Sequence, residues 1–153
     1  MKEKIILLVE DNPRDEALTL RALKKSGITN QIVVARDGAE ALDYLFGTGA
    51  HSNRDTVEMP TVILLDLNLS YPDGLDVLHQ VRKHEATRHA PVVLVAGGSL
   101  ALSPEDAEIV HGLVHKPFDI DLMLNAVREA LGDPVVEVQP RQYDAQDHFL
   151  HGY

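Results

Sequence analysis

Five short apolar runs, separated by helical patterns and polar loops, limit this chain to very few folds. Ile5–Val9, Gln31–Ala35, Val62–Leu65, Val92–Val95 and Gly112–His115 are rich in Val, Ile and Leu. Most show no alternation of apolar and polar residues, which is how parallel strands covered on both faces read. Strands alternating with helices predict an α/β domain, a parallel sheet with helices on both sides.

The residues at the end of these runs carry the chemistry. Ile5–Val9 leads into Glu10-Asp11, Val62–Leu65 into Asp66, and Gly112–His115 into Lys116-Pro117. Open α/β sheets bind ligands outside the carboxyl ends of their strands. Such a sheet brings a carboxylate pair, a lone carboxylate and an ammonium into one crevice, a site suited to a divalent cation and a phosphoryl group.

The helices announce their ends. Asn12-Pro13 supplies an N-cap and a first-turn proline, Ala17, Leu20 and Leu23 suggest the buried face, and Gly27 is a natural stop. Asp37 to Glu40 reads as a capping box for a helix over Ala39–Phe46. The polar stretch from Gly47 to Met59 has no pattern and is expected to be a loop. Tyr71-Pro72-Asp73-Gly74 signals a turn before a helix carrying Leu75, Leu78 and Val81. Ser103-Pro104 opens a short helix ending near His111, and Asp119 caps a last one over Ile120–Leu131. Beyond Gly132 the pattern stops, so the expected division is a domain over 1–132 and a tail over 133–153. Disorder is the default for such a polar terminus, and the tail's Phe149, Leu150 and Tyr153 offer packing on a partner or dimer mate as the alternative.

The formal charge of −10 argues against a sequence-independent grip on nucleic acid, which needs Lys and Arg on phosphates. With no Cys there is neither a disulfide framework nor thiol chemistry. No stretch is long and apolar enough to span a membrane, and Lys2-Glu3-Lys4 is no signal-peptide start. A cytoplasmic protein is the expectation.

The motifs ILLVEDNP, LLDLNL followed by PDG, and HKPFD resemble the receiver domain of two-component response regulators. The long loop before the third strand and the DLNL after it are most similar to stand-alone regulators of bacterial phytochrome systems. The resemblance implies a flavodoxin-like, doubly wound five-stranded sheet of order 2-1-3-4-5. It implies Asp66 as phosphoacceptor and Lys116 as the contact to the phosphoryl oxygens. Asp11 and Asp66 would bind Mg²⁺ directly, Glu10 through water, and Asn68 through its backbone carbonyl, with Mn²⁺ or Ca²⁺ as substitutes. The donor would be a sensor histidine kinase, with a phytochrome as the implied photoreceptor. Beyond self-phosphorylation and self-dephosphorylation no enzymatic activity is expected. No output domain is expected to follow, so a separate downstream protein would receive the signal. A homodimer through the fourth- and fifth-helix face is implied, with Ile120, Met123 and Val127 as candidate contacts, core packing being the alternative for each.

Two positions depart from the family. Ala96 ends the fourth strand where receivers carry Thr or Ser, and Leu113 stands at the switch aromatic. Ser99 could restore the lost hydroxyl if its loop folds back. These departures sustain a second reading, a pseudo-receiver that binds partners without phosphate. A third is an aspartyl-phosphate hydrolase of the haloacid dehalogenase type. That family has its nucleophile after the first strand and a second Asp two residues on, where this chain has Asn68. His111 and His115 are four apart, but His115 is placed on a strand, so they are not expected to share a zinc ion.

Overall fold

The computed structural model describes residues 5–54, 59–69, 72–97, 102–115 and 120–132. In chain order these form β1 (Ile5–Val9), α1 (Pro13–Lys25), β2 (Gln31–Ala35), α2 (Gly38–Phe46), a 3-10 turn (Gly49–His51), β3 (Val62–Asp66), α3 (Gly74–Lys83), β4 (Val92–Ala96), α4 (Pro104–Glu108), β5 (Gly112–His115) and α5 (Ile120–Leu131). The sheet is parallel, in the order β2-β1-β3-β4-β5. Its strands keep the two-residue side-chain period even though both faces are apolar. Leu7, Val9, Ile63, Leu65, Val92 and Leu94 point into one core with Leu45 of α2 and Val77, Leu78 and Val81 of α3. Ile6, Leu8, Val62, Leu64, Val93 and Val95 point into the other, with Ala22 and Leu23 of α1 and Met123, Leu124 and Val127 of α5. Each fully buried Leu, Ile or Val stabilises the fold by ~1.5–3 kcal/mol relative to exposure, so these two layers outweigh any single polar contact.

Local chemistry explains the boundaries. Asn12 Oδ1 accepts from the amides of Arg14 (2.9 Å) and Asp15 (3.1 Å), which fixes the start of α1. Thr19, Ala22 and Leu23 are the buried residues of that helix and Leu20 packs against the second core, so of the expected Ala17, Leu20 and Leu23 only Ala17 is misplaced. Ala17 is exposed because it stands two residues, about 200° of helix turn, from buried Thr19 and so faces away from the sheet. At α2, Asp37 Oδ1 accepts from Glu40 N at 2.6 Å, and Glu40 Oε2 reaches back to Arg36 N at 3.2 Å, one residue beyond the expected reciprocal partner. Gly47, at φ 66°, closes the helix in the left-handed region that only glycine enters freely.

The patternless loop after α2 has more order than its composition suggests. Arg54 donates from Nε to Tyr44 O (2.5 Å) and from Nη2 to Leu45 O (3.2 Å), with its guanidinium 4.2 Å from the Tyr44 ring centroid. It thereby satisfies carbonyls that the end of α2 leaves open. α4 stops at Glu108, short of His111, where the C-cap Ile109 bonds its amide back to Asp106 O and Ile109 and Val110 pack against the first core. The proposed tail, Ser99, Lys116-Pro117 and the Asp119 cap lie outside the described residues.

Candidate functional site

Parallel pairing of β1 with β3 sets Val9 opposite Leu65, so Glu10 and Asp66 leave the sheet side by side. Glu10 is 2% exposed and Asp66 3%, while Asp11 is partly exposed. One carboxylate oxygen from each lies within 4.8 Å of the others. Among the described residues this is the one group of three or more His, Cys, Asp or Glu side chains converging in this way.

Backbone amides hold the carboxylates in place. Asn68 N donates to Asp66 Oδ1 at 2.9 Å, and Asn12 N to Glu10 Oε2 at 3.3 Å. Three carboxylates in one crevice repel one another unless a cation joins them. All are hard oxygen donors, which suits Mg²⁺, Mn²⁺ or Ca²⁺. Direct ligands of an octahedral ion with ~2.1 Å bonds lie no more than ~4.2 Å apart. One carboxylate oxygen from each of the three lies close enough to the others for a single such ion to gather them.

The backbone behind Asp66 is equally constrained. Gly74, the first residue of α3, packs directly on it. A Cβ there would lie 2.5 Å from both Asp66 O and Leu67 Cα. Gly74 N also donates to Leu67 O at 3.3 Å. The start of α3 thus rests on the peptide that carries the Asp66 side chain.

The two departing positions are where the sequence placed them. Ala96 is the last residue of β4, 1% exposed, with its methyl group in the first core. Leu113, on β5, is 38% exposed. Two candidate dimer contacts need correction: Met123 (1% exposed) and Val127 (0%) face the second core and are unavailable to a partner. On an amphipathic helix their three- and four-residue periodicity marks the packed face. The Ile120 side chain lies outside the described residues.

Sequence reading did not find the polar ties between α3 and the region of α4. His79 Nε2 lies 2.8 Å from Asp106 Oδ1. Arg82 donates from Nε to Ile109 O (2.8 Å) and from Nη1 to Ala90 O (2.7 Å) and Arg88 O (3.1 Å). Spacing alone puts His79 and Arg82 on one side of a helix. It cannot name partners 27 residues away.

The His79 hydrogen bond holds the Asp106 carboxyl below the usual carboxylate range, against a smaller upward push from burial. A depressed folded pKa gives stability that is present above the unfolded value and lost as pH falls through the folded one. The stability gap between wild type and Asp106→Asn is therefore expected to hold above the ordinary carboxylate range and to close as pH falls below it. Urea midpoints across that range measure it. A gap that widens on acidification would contradict the contact.

Residues 6–128 match the response regulator receiver domain. The chain belongs to the receiver-domain family of response regulators. It is 38% identical over 92 residues to the response regulator Rcp1 of Synechocystis sp., an alignment covering 60% of each chain. The aligned stretch thus spans about three fifths of that relative's length. The Mn²⁺-bound form of Rcp1 superimposes with a TM-score of 0.69 and 28% identity, covering 90% of this chain and 99% of that one. The bacteriophytochrome response regulator AtBRR is 41% identical, with a TM-score of 0.71, covering 92% and 100% of the two chains. The phosphorylated cyanobacterial phytochrome response regulator RcpA is 30% identical at a TM-score of 0.67, covering 84% and 93%. The five-stranded order is that of the receiver fold. The acidic cluster, together with the Mn²⁺ form of a relative, supports divalent-metal binding by this receiver. The haloacid dehalogenase reading falls away with the family, since Asp66 ends β3 and not the first strand. No described helix is long and apolar enough to cross a membrane.

Proposed function

We propose that this receiver takes a phosphoryl group onto Asp66 from the phosphohistidine of a sensor histidine kinase, with a phytochrome as the photoreceptor. The observation that carries this reading is the buried Asp66 carboxylate at the end of β3, converging with Glu10 and Asp11. A carboxylate oxygen of Asp66 bonds to phosphorus as the P–N bond of the donor breaks, and the imidazole leaves with the electron pair. The Asn68 amide on Oδ1 holds the attacking group in one orientation. Asp11 and Asp66 would ligate Mg²⁺ directly, Glu10 through water and Asn68 through its carbonyl. The ion neutralises the carboxylates and the incoming phosphoryl oxygens when bound. Lys116 supplies a second cation to those oxygens. Ala96 has no hydroxyl to give, which weakens the hold on the phosphoryl group by ~1 kcal/mol, a typical net hydrogen bond.

The relatives named for phytochromes support the choice of kinase, and a place in the cytoplasm beside it follows. A homodimer over the α4–β5–α5 face belongs to the same reading. Leu113 and Leu122, at 38% and 52% exposure, are the large apolar side chains the described residues leave open there.

Incubation with acetyl phosphate followed by intact-protein mass measurement tests the proposal. One added phosphoryl group is expected with Mg²⁺ and none with chelator. If no adduct forms, and a phosphorylated histidine kinase as donor gives none either, the phosphoacceptor reading fails. The pseudo-receiver is then the better account.

A further inference from the structure

Receivers carry a signal from the phosphoryl group to the fourth-helix face by a hydroxyl and an aromatic side chain. This chain has Ala96 and Leu113 in those places. α3 offers another connection, built from contacts at both of its ends. At the first end, Gly74 touches the backbone of Asp66 and Leu67 with no side chain between them. A change in the loop after Asp66 therefore pushes directly on the helix.

Between its ends α3 is a ten-residue helix whose Val77, Leu78 and Val81 are fully buried. A packed helix of this length moves as a body more readily than it bends. Toward its far end, His79 and Arg82 share one side and both reach beyond the helix. His79 meets Asp106 on α4 at 2.8 Å, and Arg82 holds the carbonyl of Ile109, the C-cap of α4, at 2.8 Å. α4 itself has five residues and buries none of them. The hydrophobic grip on this segment comes from the flanking Leu102, Ile109 and Val110, each only partly buried. So short a helix has little stability of its own and takes its position from what holds it.

We propose that α3 transmits the state of Asp66 to α4, with the His79–Asp106 contact as the transmitting link. This rests on Asp66 being the phosphoacceptor. The phosphoryl group shifts the Asp66–Leu67 peptide, α3 moves with it through Gly74, and His79 with Arg82 carries α4 along. The two-state element is the position of α3 against α4, and the phosphoryl group biases it through contact at Gly74.

Amide NMR spectra of the full chain, with and without excess acetyl phosphate and Mg²⁺, test this. The readout is the change in shift on phosphorylation at Asp106, Ala107, Glu108 and Ile109, taken within each variant. Intact mass is measured on the same samples. Wild type is expected to show clear changes there. His79→Ala is expected to reduce them at least twofold while its mass gain stays unchanged. His79→Gln, which keeps a hydrogen-bond donor, is expected to restore most of the change. His79 is exposed, so neither variant threatens the core. Wild-type protein that takes up phosphate with α4 unmoved overturns the proposal. Full α4 changes in His79→Ala overturn it equally. Absence of an adduct in wild type overturns the phosphoacceptor reading itself, and the proposal with it.

Discussion

Asp66→Asn is expected to abolish phosphoryl uptake and, in chelator, to leave the protein more stable than wild type. The first effect follows from chemistry, because a carboxamide lacks the anionic oxygen that attacks phosphorus. A loss of at least ~100-fold in adduct formation is expected. The second follows from charge. Glu10, Asp11 and Asp66 bring three carboxylate oxygens within 4.8 Å, and two of the three side chains are almost fully buried. At an effective dielectric of about 20, two like charges at that separation repel by roughly 3.5 kcal/mol before solvent and neighbours reduce it. Asn keeps the shape of Asp and still accepts from the Asn68 amide, so most of the wild-type packing survives. A net gain of ~1–3 kcal/mol in chelator is expected, read as a rise of several degrees in melting temperature. Mg²⁺ should reverse the order. It stabilises wild type by mass action and the variant far less, since the variant has lost a ligand. Thermal melts of both proteins with and without Mg²⁺ make the comparison. An Asp66→Asn protein less stable than wild type in chelator would mean that the carboxylates are not in mutual repulsion. An undiminished adduct would move the acceptor elsewhere, with Asp11 the first place to look.

The legible part of this molecule is the part that local chemistry dictates. Apolar runs bounded by turn residues mark all five strands, and Asn12, Asp37 and Ser103 each cap a helix as their residue types suggest. The meeting of Glu10, Asp11 and Asp66 comes from strand ends in a parallel sheet, because the sheet converts position in a run into position in space. What stays hidden depends on which surface meets which. Ala17 fits the apolar pattern of α1, yet the packed helix buries the polar Thr19 and leaves Ala17 exposed. Met123 and Val127 read equally well as a dimer patch or as core until α5 is seated. Arg54 and Arg82 look like ordinary surface charges in the sequence. Their guanidinium groups instead satisfy carbonyls at helix ends and in loops that no pattern brings together. Gly74 reads as a turn residue, yet its φ is not positive. Its role is close approach, which only the packed loop reveals.

That role predicts a large effect from a small substitution. Gly74→Ala places a methyl carbon 2.5 Å from Asp66 O and Leu67 Cα and 3.0 Å from Leu67 C. All three are backbone atoms, so no side-chain rotation relieves the clash. Either the loop after β3 moves or the start of α3 lifts away, and the Gly74–Leu67 hydrogen bond lengthens in both cases. Overpacking of this kind typically costs ~1–3 kcal/mol, and backbone against backbone belongs at the upper end. Gly112→Ala is the control. Its nearest contacts are Ala126 Cβ at 3.6 Å and Val93 Cγ1 at 4.0 Å, ordinary packing distances, so a change within ~0.5 kcal/mol is expected. Urea unfolding with a common slope compares the two. Function should separate them more sharply, because moving the Asp66–Leu67 peptide misaims the Asp66 carboxylate against Glu10 and Asp11. Uptake from acetyl phosphate is expected to slow at least ~10-fold in the Gly74 variant and to stay near wild type in the Gly112 variant. If Gly74→Ala proves as stable and as reactive as Gly112→Ala, α3 yields freely at its start. The acceptor peptide would then have no firm mechanical hold on the helix, and a signal passing through α3 would have nothing to push against.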